Sequence, residues 1–213
     1  MKNKLYIGLV TFLVLAFIPA ISFAAVGLKA ECAYDYGLNK AVCVIYADSG
    51  TDDLISGGVS LEYDTNELTL QSAQKNEEDW FFGDGTPSGN FSYMDPEDVA
   101  VSGSKRANLT VVGKLRESDP TEGINGDRIE IVRIIFARVG SSEAPFDLTL
   151  DLARGGDYEN FVSTSGALLD DGIAQIDVIQ AEAGDANANG QVDAVDAQVV
   201  SGIFFGTATE TVF

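Results

Sequence analysis

Gly27-Leu28-Lys29-Ala30-Glu31-Cys32-Ala33-Tyr34 and Lys40-Ala41-Val42-Cys43-Val44-Ile45-Tyr46-Ala47 are two alternating runs on either side of the turn-forming Asp35-Tyr36-Gly37-Leu38-Asn39. Alternation with a period of two puts successive side chains on opposite faces of a strand, so the stretch reads as a β-hairpin. In the second run Val42, Val44 and Tyr46 share one face, and Cys43, Ile45 and Ala47 share the other. A strand apolar on both faces belongs in the interior of a sandwich. Cys32 and Cys43 flank the turn, and in an oxidising compartment they are expected to close a disulfide across the hairpin.

The same texture continues downstream. Strands are expected at 58–63, 68–73, 91–94, 99–102, 107–115, 128–139, 146–152 and 173–181, making about ten with the hairpin. No amphipathic helical run as long as ten residues falls between Val26 and Ala183. In Asp147-Leu148-Thr149-Leu150-Asp151-Leu152 the leucines point one way and the polar residues the other. Glycine-rich turns, such as Gly123-Ile124-Asn125-Gly126-Asp127 and Arg154-Gly155-Gly156-Asp157, punctuate the strands. The expected fold class is all-β, an antiparallel β-sandwich of the jelly-roll kind.

Composition narrows the chemistry. The 213 residues hold 33 Asp plus Glu against 13 Lys plus Arg and no His, with a net charge of −20. Without histidine, and with two cysteines expected to pair, the common zinc and iron sites, the Ser-His-Asp triad and the Cys-His dyad cannot be assembled. A surface this acidic repels nucleic acid and anionic lipid, and it attracts divalent cations.

Residues 1–24 read as a secretory signal. Lys2 and Lys4 precede an apolar run from Leu5 to Ile18, then Pro19 and the small-residue end Ser22-Phe23-Ala24. Cleavage is expected before Ala25, with an uncleaved anchor as the alternative because residues 5–25 are about long enough to span a bilayer. Either way the remainder is expected to be secreted or at the cell surface, with no other membrane contact. Loss of the two lysines takes the net charge to −22.

Between Gln74 and Asn90 the chain turns acidic and then glycine-rich, around Trp80, Phe81 and Phe82. Three adjacent aromatics in a β-protein either cap the core or form an exposed platform for a sugar ring, with Tyr63 or Tyr93 as further stacking faces. The core role is preferred. Glu77, Glu78, Asp79 and Asp84 supply carboxylates of the kind that hydrolyse glycosides when held in pairs. Four acids in one loop read more naturally as a solvated face, and the chain is read as non-enzymatic.

Strand character ends at Ala181-Glu182-Ala183-Gly184, which divides a sandwich domain at 25–182 from an appendage at 183–213. The appendage opens with Asp185-Ala186-Asn187-Ala188-Asn189-Gly190-Gln191-Val192-Asp193-Ala194-Val195-Asp196. Side-chain oxygens stand at positions 1, 3, 5, 9 and 12 of this stretch, with glycine at position 6. Calcium takes six to eight oxygens at about 2.3 to 2.6 Å and needs a chain that wraps it and turns sharply at the glycine. Asp185, Asn187, Asn189, the Gln191 carbonyl, Asp193 through a water, and Asp196 are therefore the expected Ca²⁺ ligands. Three carboxylates place the affinity toward the weak, extracellular end of the scale. Val195, Val199, Ile203 and Phe204 follow at helical spacing, and the helix is expected to end near Gly206.

Residues 185–196, Val200 and Ile203-Phe204-Phe205-Gly206 resemble a dockerin repeat of cellulosome-type systems. Asn189 stands where that family usually has Asp, Ser201-Gly202 stands where basic residues are frequent, and one repeat is read where two are usual. The preceding sandwich is similar to a cohesin, the receptor of dockerins. That likeness is carried by Gly57 to Leu61 leading into Tyr63-Asp64-Thr65-Asn66-Glu67-Leu68, by Asn108 to Val112, and by Ile129 to Phe136 before the Gly140 turn. Carbohydrate-binding modules share this kind of sandwich.

The resemblance implies an extracellular adaptor. Its sandwich would bind a cohesin- or dockerin-bearing protein, and Ala194, Val195, Val199, Ile203 and Phe204 of the calcium-ordered helix would bind another sandwich. That second sandwich could belong to another copy, in a head-to-tail array. The alternative is a carbohydrate-binding module with a calcium-stabilised tail and a polysaccharide ligand.

Overall fold

The computed structural model describes residues 26–35, 37–153, 161–166 and 176–182. The expected signal at 1–24, the Arg154-Gly155-Gly156-Asp157 turn and the appendage at 183–213 lie outside the described residues. Thirteen strands follow in order: β1 (Gly27–Asp35), β2 (Lys40–Asp48), β3 (Leu54–Asp64), β4 (Leu68–Lys75), β5 (Phe82–Gly83), β6 (Asn90–Phe91), β7 (Glu97–Ser102), β8 (Lys105–Gly113), β9 (Leu115–Arg116), β10 (Ile129–Arg138), β11 (Leu148–Leu152), β12 (Val162–Ser163) and β13 (Ile176–Glu182). One sheet runs β13-β1-β2-β10-β4. A second runs β11-β3-β8-β7, with β12 also paired to β3, and a small third sheet runs β6-β5-β9. The expected all-β sandwich is the observed architecture.

The opening hairpin pairs as its alternation predicts, from Gly27 opposite Asp48 to Asp35 opposite Lys40. Cys32 and Cys43 face each other in that register and form the disulfide. Ala41, Cys43, Ile45 and Ala47 are fully buried in the core, where the two main sheets meet. The other face of β2 differs from the expected second packed layer. Val44 is 8% exposed, yet no described sheet lies over it, and its register neighbours Glu31 and Arg133 are long charged side chains. Glu31, beside it on β1, receives both Arg128 guanidinium nitrogens at 2.7 and 2.9 Å, and Lys29 at 2.6 Å. The same guanidinium lies over the Tyr46 ring, 4.2 Å from its centroid. Stacked and bidentate, Arg128 shields apolar surface while its charge stays partly in water.

Across the core Tyr63 meets Phe136 with ring centroids 4.9 Å apart. Phe161 is fully buried against Gly57, where a Cβ would come within 2.3 Å of the ring, so only glycine lets that ring close the end of the sandwich.

Several expected strands change at their ends. The 107–115 run splits, because Lys114 leaves the second sheet after bonding Ile55 O and Leu115 then joins the third by bonding Phe81 O. The 91–94 run keeps only Asn90–Phe91, because its partner β5 is itself two residues long. The 173–181 run becomes β13, parallel to β1 in a fold expected to be antiparallel throughout. Gln180 ties this strand down: it accepts from the Tyr34 hydroxyl and from Phe146 N at 2.8 Å, and its amide donates to Phe146 O at 2.9 Å.

Two stability measurements check this account. A Cys32→Ala/Cys43→Ala double variant is expected to lose about 3 kcal/mol in urea unfolding, the loop-closure entropy of a bridge this short. Burial pushes the Glu31 carboxyl up, but the hydrogen bonds and charges of Arg128 and Lys29 outweigh it and hold the pKa below the ordinary 4.5. That stability is complete above pH 4.5 and is lost as pH falls through the lower folded value. Arg128→Ala is expected to cost about 1 to 2 kcal/mol at pH 7, with a gap to the wild type that narrows on acidification.

Candidate functional site

The outer face of the β11-β3-β8-β7 sheet is built by strict alternation. β3 sends Val59, Leu61 and Tyr63 into the core and turns Ser60 and Glu62 outward. Register then lines up two rows across the four strands: Thr149, Glu62, Ala107 and Val99 in one, and Asp151, Ser60, Leu109 and Glu97 in the other. No described element packs over them. The face holds a shallow depression of about 470 Å³, and Val101 at its β7 edge is 49% exposed. Aliphatic side chains beside Glu62, Glu97 and Asp151 make a surface that is part apolar and distinctly acidic.

Inside the same sheet, polar groups fix the edge strand. Tyr63 donates to Asp98 Oδ1 at 3.0 Å, and Arg106 Nε donates to Asp98 Oδ2 at 2.8 Å. Burial and the neighbouring Asp98 carboxylate push the Tyr63 phenol up to about 12, so it remains a proton donor at any physiological pH.

The expected calcium ligands Asp185, Asn187, Asn189, Gln191, Asp193 and Asp196 lie outside the described residues, as do Ala194, Val195, Val199, Ile203 and Phe204. Among the described residues no group of three or more His, Cys, Asp or Glu side chains is placed to hold a metal.

Trp80 and Phe81 take the preferred core role, not that of an exposed platform. Trp80 is 1% and Phe81 5% exposed, and Phe82 is half-buried. Trp80 reaches under β10, where its indole N–H donates to Glu130 O at 3.0 Å, so its polar edge is satisfied inside and its ring caps the core. Tyr63, at 1% exposure, offers no stacking face either. Among the described residues the exposed aromatics are Phe91, at 63%, and Tyr93, at 39%. Both rest on the edge of Phe82, at centroid distances of 5.9 and 5.4 Å. Phe91 lay in the expected 91–94 strand, but its exposure depends on the pairing of β6 with β5, which local periodicity does not encode. Leu109, Val99 and Val101 lay in expected strands, but which face stays open depends on where the other sheet packs.

No protein-family model matches the chain, and no curated protein does. The chain is similar to solved cohesin structures. One is from the type I cohesin–dockerin complex Coh-OlpA–Doc918 of Clostridium thermocellum, at 11% identity over 73% of this chain and 96% of that one, with a TM-score of 0.47. Another is the sixth cohesin of Acetivibrio cellulolyticus scaffoldin B in complex with a Cel5 dockerin, at 9% identity over 72% and 99%, with a TM-score of 0.46. A third is a non-cellulosomal cohesin of Archaeoglobus fulgidus, at 15% identity over 74% and 88%, with a TM-score of 0.42. These likenesses assign the chain neither family nor partner.

Substitution separates the buried aromatic from the exposed one. Trp80→Ala is expected to cost about 3 to 5 kcal/mol in urea unfolding, and Phe91→Ala to stay within about 0.5 kcal/mol of the parent.

Proposed function

We propose that this protein is a secreted, non-catalytic assembly module of cohesin type, which docks a dockerin-bearing partner on the outer face of the β11-β3-β8-β7 sheet. The supporting observation is that open face, where Val99, Val101 and Leu109 stand among Glu62, Glu97 and Asp151. An exposed sheet face of mixed aliphatic and acidic character suits a helix that carries aliphatic and basic residues together. Burying Leu109 at the centre supplies affinity, and the surrounding carboxylates select for positive charge.

The appendage adds a second docking element. Asp185, Asn187, Asn189, Gln191, Asp193 and Asp196 would bind Ca²⁺ and order a helix presenting Val199, Ile203 and Phe204 to a sandwich on another protein. Residues 183–213 contain no Lys or Arg. An acidic tail meets an acidic face unfavourably, so the partners on both sides are different chains and head-to-tail arrays of this one are disfavoured.

Titration of the full chain with type I dockerins in calcium tests the face. Binding to at least one is expected, with a loss of tenfold or more in Leu109→Asp; no binding to any, or full affinity in the variant, overturns it. Calorimetry with CaCl₂ is expected to show one ion bound with a Kd of about 10⁻⁴ to 10⁻³ M, and none in Asp185→Ala. Gel filtration is expected to show a monomer with calcium and with chelator alike.

A further inference from the structure

The other side of the sandwich carries a groove of about 690 Å³, between the outer face of the β4–β10 pair and the loop that leads to β6. Gln74 and Arg133 sit side by side in register on its sheet wall, next to Glu130. Glu77 stands at the start of the loop wall, and Phe91 forms the outer lip. At the inner end Lys75, 6% exposed, spends one of its three donors on Val111 O at 3.2 Å. Arg133 and Glu130 touch only weakly, at 3.3 Å, and Arg133 is 48% exposed, so both retain hydrogen-bonding capacity toward the groove.

Phe91 is held rather than left loose. Asn90 Oδ1 accepts from Gly85 N at 2.9 Å, Asn90 N donates to Thr86 O at 3.0 Å, and Asp84 Oδ1 accepts from both Thr86 N and its hydroxyl. Gly83, at φ 144°, lies so close to Gly89 that a Cβ would come within 2.2 Å of Gly89 O. Phe82 supports the Phe91 ring from below, edge to face. An aromatic that is 63% exposed on a loop tied this tightly presents a preformed apolar face to solvent.

We propose that this groove binds a segment of neutral polysaccharide, with a sugar ring stacked on Phe91 and its hydroxyls bonded by Gln74, Glu77, Glu130 and Arg133. Sugars combine an apolar ring face with a girdle of hydroxyls that both donate and accept. Amide, carboxylate and guanidinium groups beside one aromatic face match that pattern, whereas a peptide segment would call for deeper apolar pockets. Charge selects among sugars. Glu77, Glu78 and Glu130 outnumber Lys75 and Arg133 around the groove, and the whole chain is strongly acidic, so uronate-rich or sulfated chains are repelled. Nothing in this site overlaps Leu109 or its neighbours, so the module could hold a glycan and a protein at once.

The test is native affinity electrophoresis of the full chain in gels containing soluble hydroxyethylcellulose, xyloglucan, galactomannan or polygalacturonate. Retardation by at least one neutral polymer is expected, and none by polygalacturonate. Phe91→Ala should weaken the retardation at least tenfold, Arg133→Ala should weaken it measurably, and both should keep the parent's unfolding midpoint to within a few degrees. Leu38→Ala, which removes an equally exposed apolar side chain outside the groove, should leave it unchanged. Retardation by none of the neutral polymers, by polygalacturonate alone, or undiminished in Phe91→Ala overturns the proposal.

Discussion

The pairing of β2 with strands on both of its edges is the constraint from which the rest of the molecule follows. β1 pairs it along its whole length, β10 pairs its other edge from Lys40 to Ala47 across one bulge, and the Cys32–Cys43 bridge joins it covalently to β1. Once β2 is central, its Ala41, Cys43, Ile45 and Ala47 face must meet a second sheet, because nothing else removes so much apolar surface from water. Leu61, Val59, Tyr63 and Phe161 supply that cover. The second sheet can bury only one of its own faces in doing so. Ser60, Glu62, Leu109 and Val99 are left outside by the same packing event that closes the core.

The first sheet solves its outer face differently. Arg128, Glu31, Lys29 and Tyr46 form a stacked, charge-paired cluster beside Val44 where no third layer is described. Toward β4 that cluster gives way to Gln74 and Arg133, and there the chain has a groove in place of a shield. Trp80 is what positions the groove's other wall. With its ring in the core and its N–H on Glu130 O, it anchors the loop at one end, while the glycine-packed turn before Asn90 holds the other. The two exposed faces thus sit on opposite sides of one core and depend on it jointly.

Much of this was legible locally. The hairpin, its disulfide and the longer strands show as period-two alternation within eight or nine residues, and the exclusion of histidine chemistry needs only a count. The parallel partner of β1 was not legible, since period-two alternation is the same whichever way a neighbour runs. Nor were β5 and β12, each two residues long, while β6 and β9 were legible only as the ends of longer expected runs. The neighbours Trp80, Phe81 and Phe82 show the limit most clearly: adjacent aromatics in one loop end up buried, buried and half-buried, while Phe91, unremarkable in sequence, stands out in water.

Sequence alone therefore determined what depends on near neighbours along the chain: the strand pattern, the Cys32–Cys43 pairing across one turn, and a calcium-type ligand spacing contained within the twelve residues from Asp185 to Asp196. Tertiary structure alone decided which faces remain open, which aromatic is displayed, and which charged side chains are spent shielding the sheet. Those outcomes turn on contacts between residues far apart in the chain, such as Trp80 with Glu130 and Glu31 with Arg128, and no local period encodes which distant surface will arrive to cover a given side chain.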